Sequence, residues 1–187
     1  MKQTANQLVY SREALIQQIE GGVGFEYLLF YGHKVPPDGG VTETCCSQWY
    51  PASFIVDDCL YLTAEHFMMA EKARLFDDAE MLQRILESKT PRDAKGLGRK
   101  VRNFDVATWA GASFEIVVRG SHAKFSQNRA LGEWLLASAP KVLVEASPRD
   151  RIWGIGMGKA NPNALDPRLW RGGNLLGFAL MKARDSL

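Results

Sequence analysis

The sequence contains few of the residues from which disulfide frameworks and metal sites are built. Three cysteines and three histidines occur among 187 residues. The odd number of cysteines leaves at least one thiol unpaired, and the adjacent Cys45 and Cys46 lack the C-x-x-C spacing of a zinc knuckle. Glu65 precedes His66, but no second histidine follows four residues later, as a zinc-binding helix of this kind requires. We therefore expect reduced cysteines and no metal site.

Charge of one sign and long apolar runs are also scarce. The formal net charge is +2, which is too small to indicate nucleic-acid binding, and residues 99–102 form only a local basic patch. Residues 1–6 lack the apolar core of a signal peptide. No stretch reaches the ~18 apolar residues that a membrane-spanning helix needs. These absences predict a cytoplasmic protein without a membrane segment.

Caps, breaks and apolar runs predict one α+β domain over residues 1–187. This length fits a single domain, and 46% hydrophobic residues suffice for a substantial core. The patterns predict helices over 11–20, 63–76, 77–88, 105–125, 128–137 and 174–184, and another that begins at 90. They also predict strands over 25–31 and 141–145 and a hairpin over 54–62. We expect a compact, mainly helical fold with a small β-sheet.

The helix after Thr63 carries a carboxylate and an amine in one line. Thr63 is a good N-cap, and neither glycine nor proline interrupts the run to Phe76. Glu65 and Lys72 are seven residues apart, so they project about 20° apart on one helical face. They are therefore candidate catalytic residues. Two solvated surface charges would show the same spacing.

A glycine-rich stretch, Gly154-Ile155-Gly156-Met157-Gly158-Lys159, resembles a phosphate-cradling loop only superficially. A dinucleotide or P-loop motif needs a long helix immediately after the glycines. Asn161-Pro162-Asn163 follows here, so that helix cannot begin in time. Two interpretations remain: a glycine loop that lets a ligand approach the backbone closely, and a plain tight loop.

Three aromatic residues lie in segments rich in proline or glycine, where a core does not obviously need large rings. These residues are Trp49, Tyr50 and Trp153. Flat rings in such loops are suited to stacking on a purine or pyrimidine. We regard Trp153 as a candidate ligand contact.

Seven short segments occur in an order that resembles a known family. They are Ser47-Gln48-Trp49-Tyr50-Pro51, Thr63-Ala64-Glu65-His66 continuing to Glu71-Lys72-Ala73, Gly98-Arg99, Ala123-Lys124-Phe125, Leu143-Val144-Glu145-Ala146-Ser147, Asp150 through Gly156, and Asn174-Leu175-Leu176-Gly177. Each segment alone is unremarkable, but the ordered set closely resembles the NADAR family, also called YbiA-like. The resemblance extends from about residue 25 to residue 184.

The resemblance implies a compact, mainly helical α+β fold and an enzyme that hydrolyses N-glycosidic bonds. NADAR-like proteins are linked to two substrate classes. One comprises the early ribosylamino-pyrimidine intermediates of riboflavin biosynthesis, and the other is ADP-ribose attached to guanine in nucleic acid. Neither a metal nor an organic cofactor is implied. The implied partner is thus a nucleotide-like small molecule or ADP-ribosylated nucleic acid, and the sequence leaves the oligomeric state open.

Matched residue by residue, the resemblance assigns Glu65 and Lys72 to a catalytic helix and Asp150 and Trp153 to a ligand loop. It also places His33 in an aromatic-glycine-histidine turn and aligns Asn174 with the family's asparagine. Trp49 and Tyr50 lie in its first motif, and Gly154 and Gly156 would admit a ribose phosphate. One position departs from shorter bacterial members, which often carry an acidic residue where this chain has Ile155.

Two chemical routes are compatible with these residues. Neutral Lys72 could attack the anomeric carbon and form an imine with the opened ribose, while Glu65 moves protons. Alternatively, Glu65 could activate water or stabilise an oxocarbenium-like centre. Asp150 would bind ribose hydroxyls or protonate the leaving group. The competing class is a non-catalytic module that binds ADP-ribose or a related nucleotide.

Overall fold

The computed structural model describes residues 9–187, and within this range five consecutive helices lie between the third and fourth of four short strands. The helices are α1 (Arg12–Glu20), α2 (Ala64–Leu75), α3 (Ala79–Glu87), α4 (Pro91–Gly98), α5 (Val106–Gln127), α6 (Arg129–Ala137) and α7 (Leu175–Arg184). The strands are β1 (Tyr27–Phe30), β2 (Phe54–Val56), β3 (Cys59–Tyr61) and β4 (Val142–Glu145). The α+β class and the predominance of helix are confirmed.

The four strands form two separate pairs. β1 lies parallel to β4, with Tyr27 opposite Val142 and Phe30 opposite Glu145. β2 and β3 form the predicted antiparallel hairpin, in which Asp57 and Asp58 take the left-handed conformation at the turn. The parallel pair matters for the site, because its two strands join regions that are more than 110 residues apart in the sequence.

The core lies around α2, α5, α7 and β4. Helix α2 packs against α3, α4 and α5, while α7 packs against α5 and β4. Every residue of α2 from 64 to 70 is buried, and this includes the polar Glu65 and His66. The interpretation of Glu65 as a solvated surface charge is therefore wrong, because this end of α2 lies inside the domain.

At the beginning of two predicted helices, 77–88 and 128–137, the capping differs from a cap by the first residue's side chain. Asp78, rather than Asp77, caps α3, accepting from the N–H of Met81 while it also binds the backbone and guanidinium of Arg102. Asn128 begins α6 without a side-chain cap, because its amide donates to the carbonyls of Ser53 and Lys124. Contacts with distant residues thus accompany the cap of α3 and occupy the side-chain amide at the beginning of α6.

Some predictions concern residues beyond the described range. In residues 9–187, no helix is long and apolar enough to cross a membrane. The signal-peptide analysis concerns residues 1–6, which lie outside the described residues. The assignment of all of residues 1–187 to one domain and the cytoplasmic location stay predictions.

The N-cap of α2 provides a test of this arrangement. The Thr63 hydroxyl is 2.8 Å from His66 Nδ1 and accepts from the N–H of His66, and only 4% of Thr63 is exposed. We expect Thr63→Ala to lower the free energy of unfolding by about 0.5–2 kcal/mol, measured by urea denaturation. Thr63→Ser retains the hydroxyl and is the matched control. Equal stabilities of the two variants would show that the cap does not hold α2.

Candidate active site

A cavity of about 390 Å³ opens between α2, α4, the end of β4 and two loops. It is within the size range of small-molecule sites. The lining residues are Ser47, Gln48, Trp49, Glu65, Met68, Met69, Lys72, Lys95, Gly98, Arg99, Trp109, Glu145, Asp150, Ile152, Trp153 and Leu176. Five residues predicted from the sequence thus lie around one space: Trp49, Glu65, Lys72, Asp150 and Trp153.

Helix α2 supplies Glu65 and Lys72 to opposite ends of the cavity. The seven-residue spacing puts them on one face but about 10 Å apart along the helix axis. No ion pair links them among residues 9–187; the charged groups that act on Glu65 are instead Lys95, Asp150 and Arg99. A substrate can therefore lie between the two side chains without breaking an ion pair between them.

Glu65 is held in a buried position. Its backbone N–H donates to the Gln48 carbonyl at 2.9 Å, and the Trp49 side chain lines the same cavity. Burial raises the pKa of Glu65, although Lys95 and the Trp49 side chain oppose this change. A carboxyl group with a raised pKa can exchange protons close to neutral pH.

Lys72 lies against an aromatic wall. Its Nζ donates to the Gly98 carbonyl at 2.9 Å and sits 3.9 Å from the centre of the Phe104 ring. Trp109 lies further along the same wall, 5.6 Å from Nζ. Burial lowers the pKa of Lys72, which favours the neutral amine that a nucleophile must be.

A buried lysine supports the loop that carries Trp49. Lys124 Nζ donates to the carbonyls of Cys45 and Ser47 at 2.6 and 2.9 Å. The side chain is only 1% exposed, and burial lowers the pKa of Lys124 to about 8. Lys124 touches no part of the cavity. It therefore positions residues 47–49 from beneath.

The Asp150 carboxylate stabilises the ligand loop, residues 150–156, through hydrogen bonds to its backbone. One carboxylate oxygen, Oδ1, accepts from the backbone N–H groups of Ile152 and Trp153 at 2.9 and 2.8 Å, and more distantly from that of Gly154. This fan of bonds turns the chain so that the half-buried Trp153 faces the cavity. Asp150 therefore has a structural role as well as a place in the lining.

Gly154 and Gly156 are buried and are not among the lining residues, which does not fit the expectation that they admit a phosphate. A Cβ on Gly154 would lie 2.9 Å from the Glu145 carbonyl, and Gly156 has a φ of +69°. Both glycines therefore serve the packing and turning of the loop. Their burial favours the tight-loop interpretation, and contact of a ligand with Gly154 or Gly156 stays a prediction.

Asn174 also lies behind the cavity wall. It is fully buried, in the left-handed conformation, with no side-chain cap on α7. Its Oδ1 accepts from the N–H of Glu145 and its Nδ2 donates to the carbonyl of Leu143, both at 2.9 Å. Since both ends of the amide bind β4, Asn174 positions the strand and does not contact the cavity.

His33 and Tyr50 are neighbours of the site that do not line it. His33 is exposed, and its ring centre lies 5.5 Å from that of Trp49. Tyr50 is buried at 5% exposure, with Lys124 Nζ 5.5 Å from its ring centre. Burial explains why Tyr50 packs in the core rather than stacks on a ligand. Contact between His33 and a ligand stays a prediction.

The lining residues that the sequence did not single out as site residues include Lys95, Arg99, Trp109 and Glu145. Lys95 and Arg99 are four residues apart at the end of α4, so one helical turn places both at the cavity. Arg99 and Glu145 lie within the family-like segments, and this was the sequence signal that could have identified them as site residues.

Burial raises the pKa of Glu145 to about 8, with Asp150 and Glu65 adding to the effect and Lys95 opposing it.

The site thus combines carboxyl groups with cations around a partly apolar wall. In the described part of the chain, no three His, Cys, Asp or Glu side chains are grouped so that they could hold a metal ion. The arrangement offers an amine of lowered pKa, two carboxyl groups of raised pKa and indole rings for stacking. These are the components of acid–base and nucleophilic chemistry on a flat-ringed substrate.

Residues 29–187 match the family model of the NADAR domain. The chain belongs to the NADAR family. N-glycosidase R617 of Acanthamoeba polyphaga mimivirus is 42% identical to this NADAR chain over 165 residues, which make up 86% of the chain and 95% of R617. N-glycosidase YbiA of Escherichia coli (strain K12) is 32% identical over 132 residues, covering 71% of the chain and 74% of YbiA.

Structural comparison leads to the same family. The NMR structure of the E. coli protein YbiA matches with a TM-score of 0.68 and 27% identity, over 88% of this NADAR chain and 86% of YbiA. A more distant relative is named riboflavin biosynthesis protein VVA0006, from Vibrio vulnificus (strain YJ016). It is 29% identical over 75% of the chain, but the match covers only 35% of that longer protein.

The position of Asn174 yields a prediction that separates a structural role from ligand binding. Asn174→Ala removes two buried hydrogen bonds to β4 and places alanine at a φ of +55°. We expect the free energy of unfolding to fall by about 2–5 kcal/mol in urea denaturation. Asn163→Ala, at an exposed asparagine in the turn before residue 165, is the control. Unchanged stability combined with lost ligand binding would instead support the ligand contact that the family resemblance implies.

Proposed function

We propose that this cavity is the active site in which the chain hydrolyses the N-glycosidic bond of a ribosylated base. The chain is an N-glycosidase, the class that R617 and YbiA carry by name. The observation that carries the assignment of the site is the convergence of Glu65 and Lys72 with Asp150 and Trp153 around one cavity. Almost 80 residues separate the helix pair from the loop pair in the sequence.

Lys72 is the better candidate for the nucleophile. Its Nζ reaches the cavity from an apolar wall, and burial lowers its pKa toward the neutral form. Attack by this amine on the anomeric carbon displaces the base, and opening of the ribose ring then gives an imine that water hydrolyses. Glu65, at the other end of α2, moves protons in this scheme.

The non-catalytic alternative has less support. A binding module gains nothing from a lysine whose charged form is disfavoured by burial, because an ammonium binds phosphate better than a neutral amine does. The N-glycosidase names of R617 and YbiA also favour catalysis. We therefore assign the cavity to an enzyme.

The substrate carries a base and, we propose, at least one phosphate. Trp49, Trp109 and Trp153 line the cavity and are suited to stacking on a base. Lys95 and Arg99 supply positive charge at the end of α4. Both candidate substrates meet this description: ADP-ribose on guanine and the phosphorylated ribosylamino-pyrimidine intermediates of riboflavin synthesis. VVA0006 carries the riboflavin name, although most of its length has no counterpart here.

The direct test is to incubate the protein with guanosine-linked ADP-ribose and with a phosphorylated ribosylamino-pyrimidine. Chromatography with mass detection would follow release of the free base and of the ribose phosphate. We expect cleavage of at least one substrate at the bond between the anomeric carbon and nitrogen. Binding of both compounds without any cleavage would favour the non-catalytic module.

Lys72 can be tested by trapping. If an imine forms, borohydride added during turnover reduces it to a stable amine, and ribose becomes covalently attached to the protein. We expect Lys72→Ala to lose the adduct, detected by intact mass, and to lose several orders of magnitude in kcat. Glu65→Gln should be slower by about 10²–10⁴-fold but should still form some adduct.

The control for that experiment is Lys89→Ala, at an exposed lysine outside the cavity, which should be trapped like the wild type. If Lys72→Ala turns over almost normally at saturating substrate and no adduct forms in the wild type, the imine route is wrong. Glu65 activating water would then be the principal chemistry.

The proposed phosphate contact predicts a charge-dependent specificity. We expect Lys95→Gln combined with Arg99→Gln to raise KM for a 5′-phosphorylated riboside by about 10- to 100-fold, since charged hydrogen bonds are lost. The effect on the dephosphorylated riboside should be much smaller. Arg92→Gln, on the exposed face of α4, is the matched control. Equal losses with both ribosides would contradict a phosphate contact.

A further inference from the structure

Glu145 stands in the cavity at the end of β4, with its backbone fixed from two directions. Its N–H donates to Asn174 Oδ1 at 2.9 Å, and its carbonyl accepts from the N–H of Ile155 at 2.9 Å. The first contact ties it to the beginning of α7 and the second to the ligand loop. The Cα of Glu145 therefore has little freedom, and its side chain is presented to the cavity by rigid elements.

One carboxyl oxygen of Glu145 has no hydrogen-bond partner in the protein. Oε2 is buried and makes no hydrogen bond to any residue from 9 to 187. A buried polar atom without a partner costs stability, and glutamine or leucine at this position would avoid the buried acid. The preceding residues, Val142 to Val144, are fully buried and apolar. Nothing in the packing of β4 therefore requires an acid at its end.

The surroundings of Glu145 keep a proton on it. Three charged groups act on it from three elements: Asp150 in the ligand loop, Lys95 on α4 and Glu65 on α2. Burial is the largest effect, and the two acidic neighbours outweigh Lys95, so the pKa of Glu145 rises to about 8. Glu65 differs because Trp49 and Arg99 act together with Lys95 to lower its pKa. The two glutamates thus have different environments, as an acid and a base in one site commonly do.

We propose that Glu145 is the acid that gives its proton to the departing nitrogen of the base. This inference rests on the N-glycosidase function and on the site proposed above. It assigns to Glu145 the leaving-group role that the sequence left open to Asp150. Asp150 Oδ1 is engaged by the backbone N–H groups of its own loop, whereas Glu145 Oε2 has no partner in the protein.

The protons of the step balance with water as the one further reactant. The bond between the anomeric carbon and nitrogen breaks, its electron pair stays on nitrogen, and that nitrogen takes the proton of Glu145. The anomeric carbon receives the electron pair of Lys72 Nζ, and the ring opens as one proton of this Nζ passes to the ring oxygen, which gives the protonated imine. Hydrolysis of this imine by water releases Lys72 as an ammonium, whose extra proton returns to the Glu145 carboxylate.

The experiment compares Glu145→Gln with the wild type on two ribosylamine 5-phosphates, one with aniline and one with 4-nitroaniline as leaving group. Aniline is the poorer leaving group and needs the proton more. We expect Glu145→Gln to lower kcat/KM by about 10²–10⁴-fold for the aniline compound, and by less than about tenfold for the nitroaniline compound. Glu133→Gln is the control. Glu133 is exposed and pairs with Arg129 at the surface, so this variant should behave as wild type.

The dependence of kcat/KM on pH is a second test of the role of Glu145. Wild-type kcat/KM for the aniline compound should decline above about pH 8 as Glu145 loses its proton, and Glu145→Gln should lack that decline. Equal losses on both compounds with the decline retained, or near-normal rates in the variant, would overturn the assignment. If the wild type cleaves no riboside at all, the N-glycosidase function itself fails.

Thermal melting tests the ionisation of Glu145 without measuring enzymatic activity. A pKa raised from 4.5 to about 8 means that ionisation of Glu145 takes no stability from the fold below pH 4.5, and that this loss of stability is complete once pH has risen through 8. Glu145→Gln has no such loss, so its Tm should exceed that of the wild type at pH 8 but not at pH 4. A lower Tm for the variant at pH 8 would show that Glu145 has a stabilising partner, and the proposal would be wrong.

Discussion

The amide of Asn174 joins the three elements on which the cavity depends. Its side chain binds the backbone of β4 at two points, its own N–H donates to the Gly154 carbonyl, and it begins α7. An asparagine can do this because its short amide offers both a donor and an acceptor and because asparagine tolerates the left-handed backbone. Glu145 and the loop of Trp153 take their positions from this one buried contact.

The wall of the cavity formed by α2 and residues 47–49 contains buried polar groups that most helices would expose to solvent. The first turn of α2 lies inside the domain, so Glu65 reaches the cavity from a rigid helix rather than from a flexible loop. Lys124 performs a related task beneath residues 47–49, where its ammonium satisfies two backbone carbonyls. Buried polar groups of this kind oppose folding unless they are satisfied, and the protein satisfies most of them with backbone atoms.

Burial also sets the chemistry of the site. The same exclusion of water that lowers the pKa of Lys72 raises the pKa values of Glu65 and Glu145, because every charged form is disfavoured. Neutral forms of both an amine and an acid can then coexist at one pH, which bulk water does not allow for these groups. Such a site costs stability, as strained and desolvated active sites commonly do.

The sequence alone determined the local features of this protein. Caps such as Thr63 and Asp105 predicted their helices because a cap bonds to an N–H group only two or three residues away. The seven-residue spacing of Glu65 and Lys72 gave their common face for the same local reason, and the ordered motifs gave the family. Only the tertiary structure decided what depends on distant contacts. It buried Glu65, joined Asn174 to β4 through two hydrogen bonds, and packed Gly154 and Gly156 inside the loop. It also brought Glu145 to the cavity, where burial and the neighbouring charges from three other elements determine its protonation.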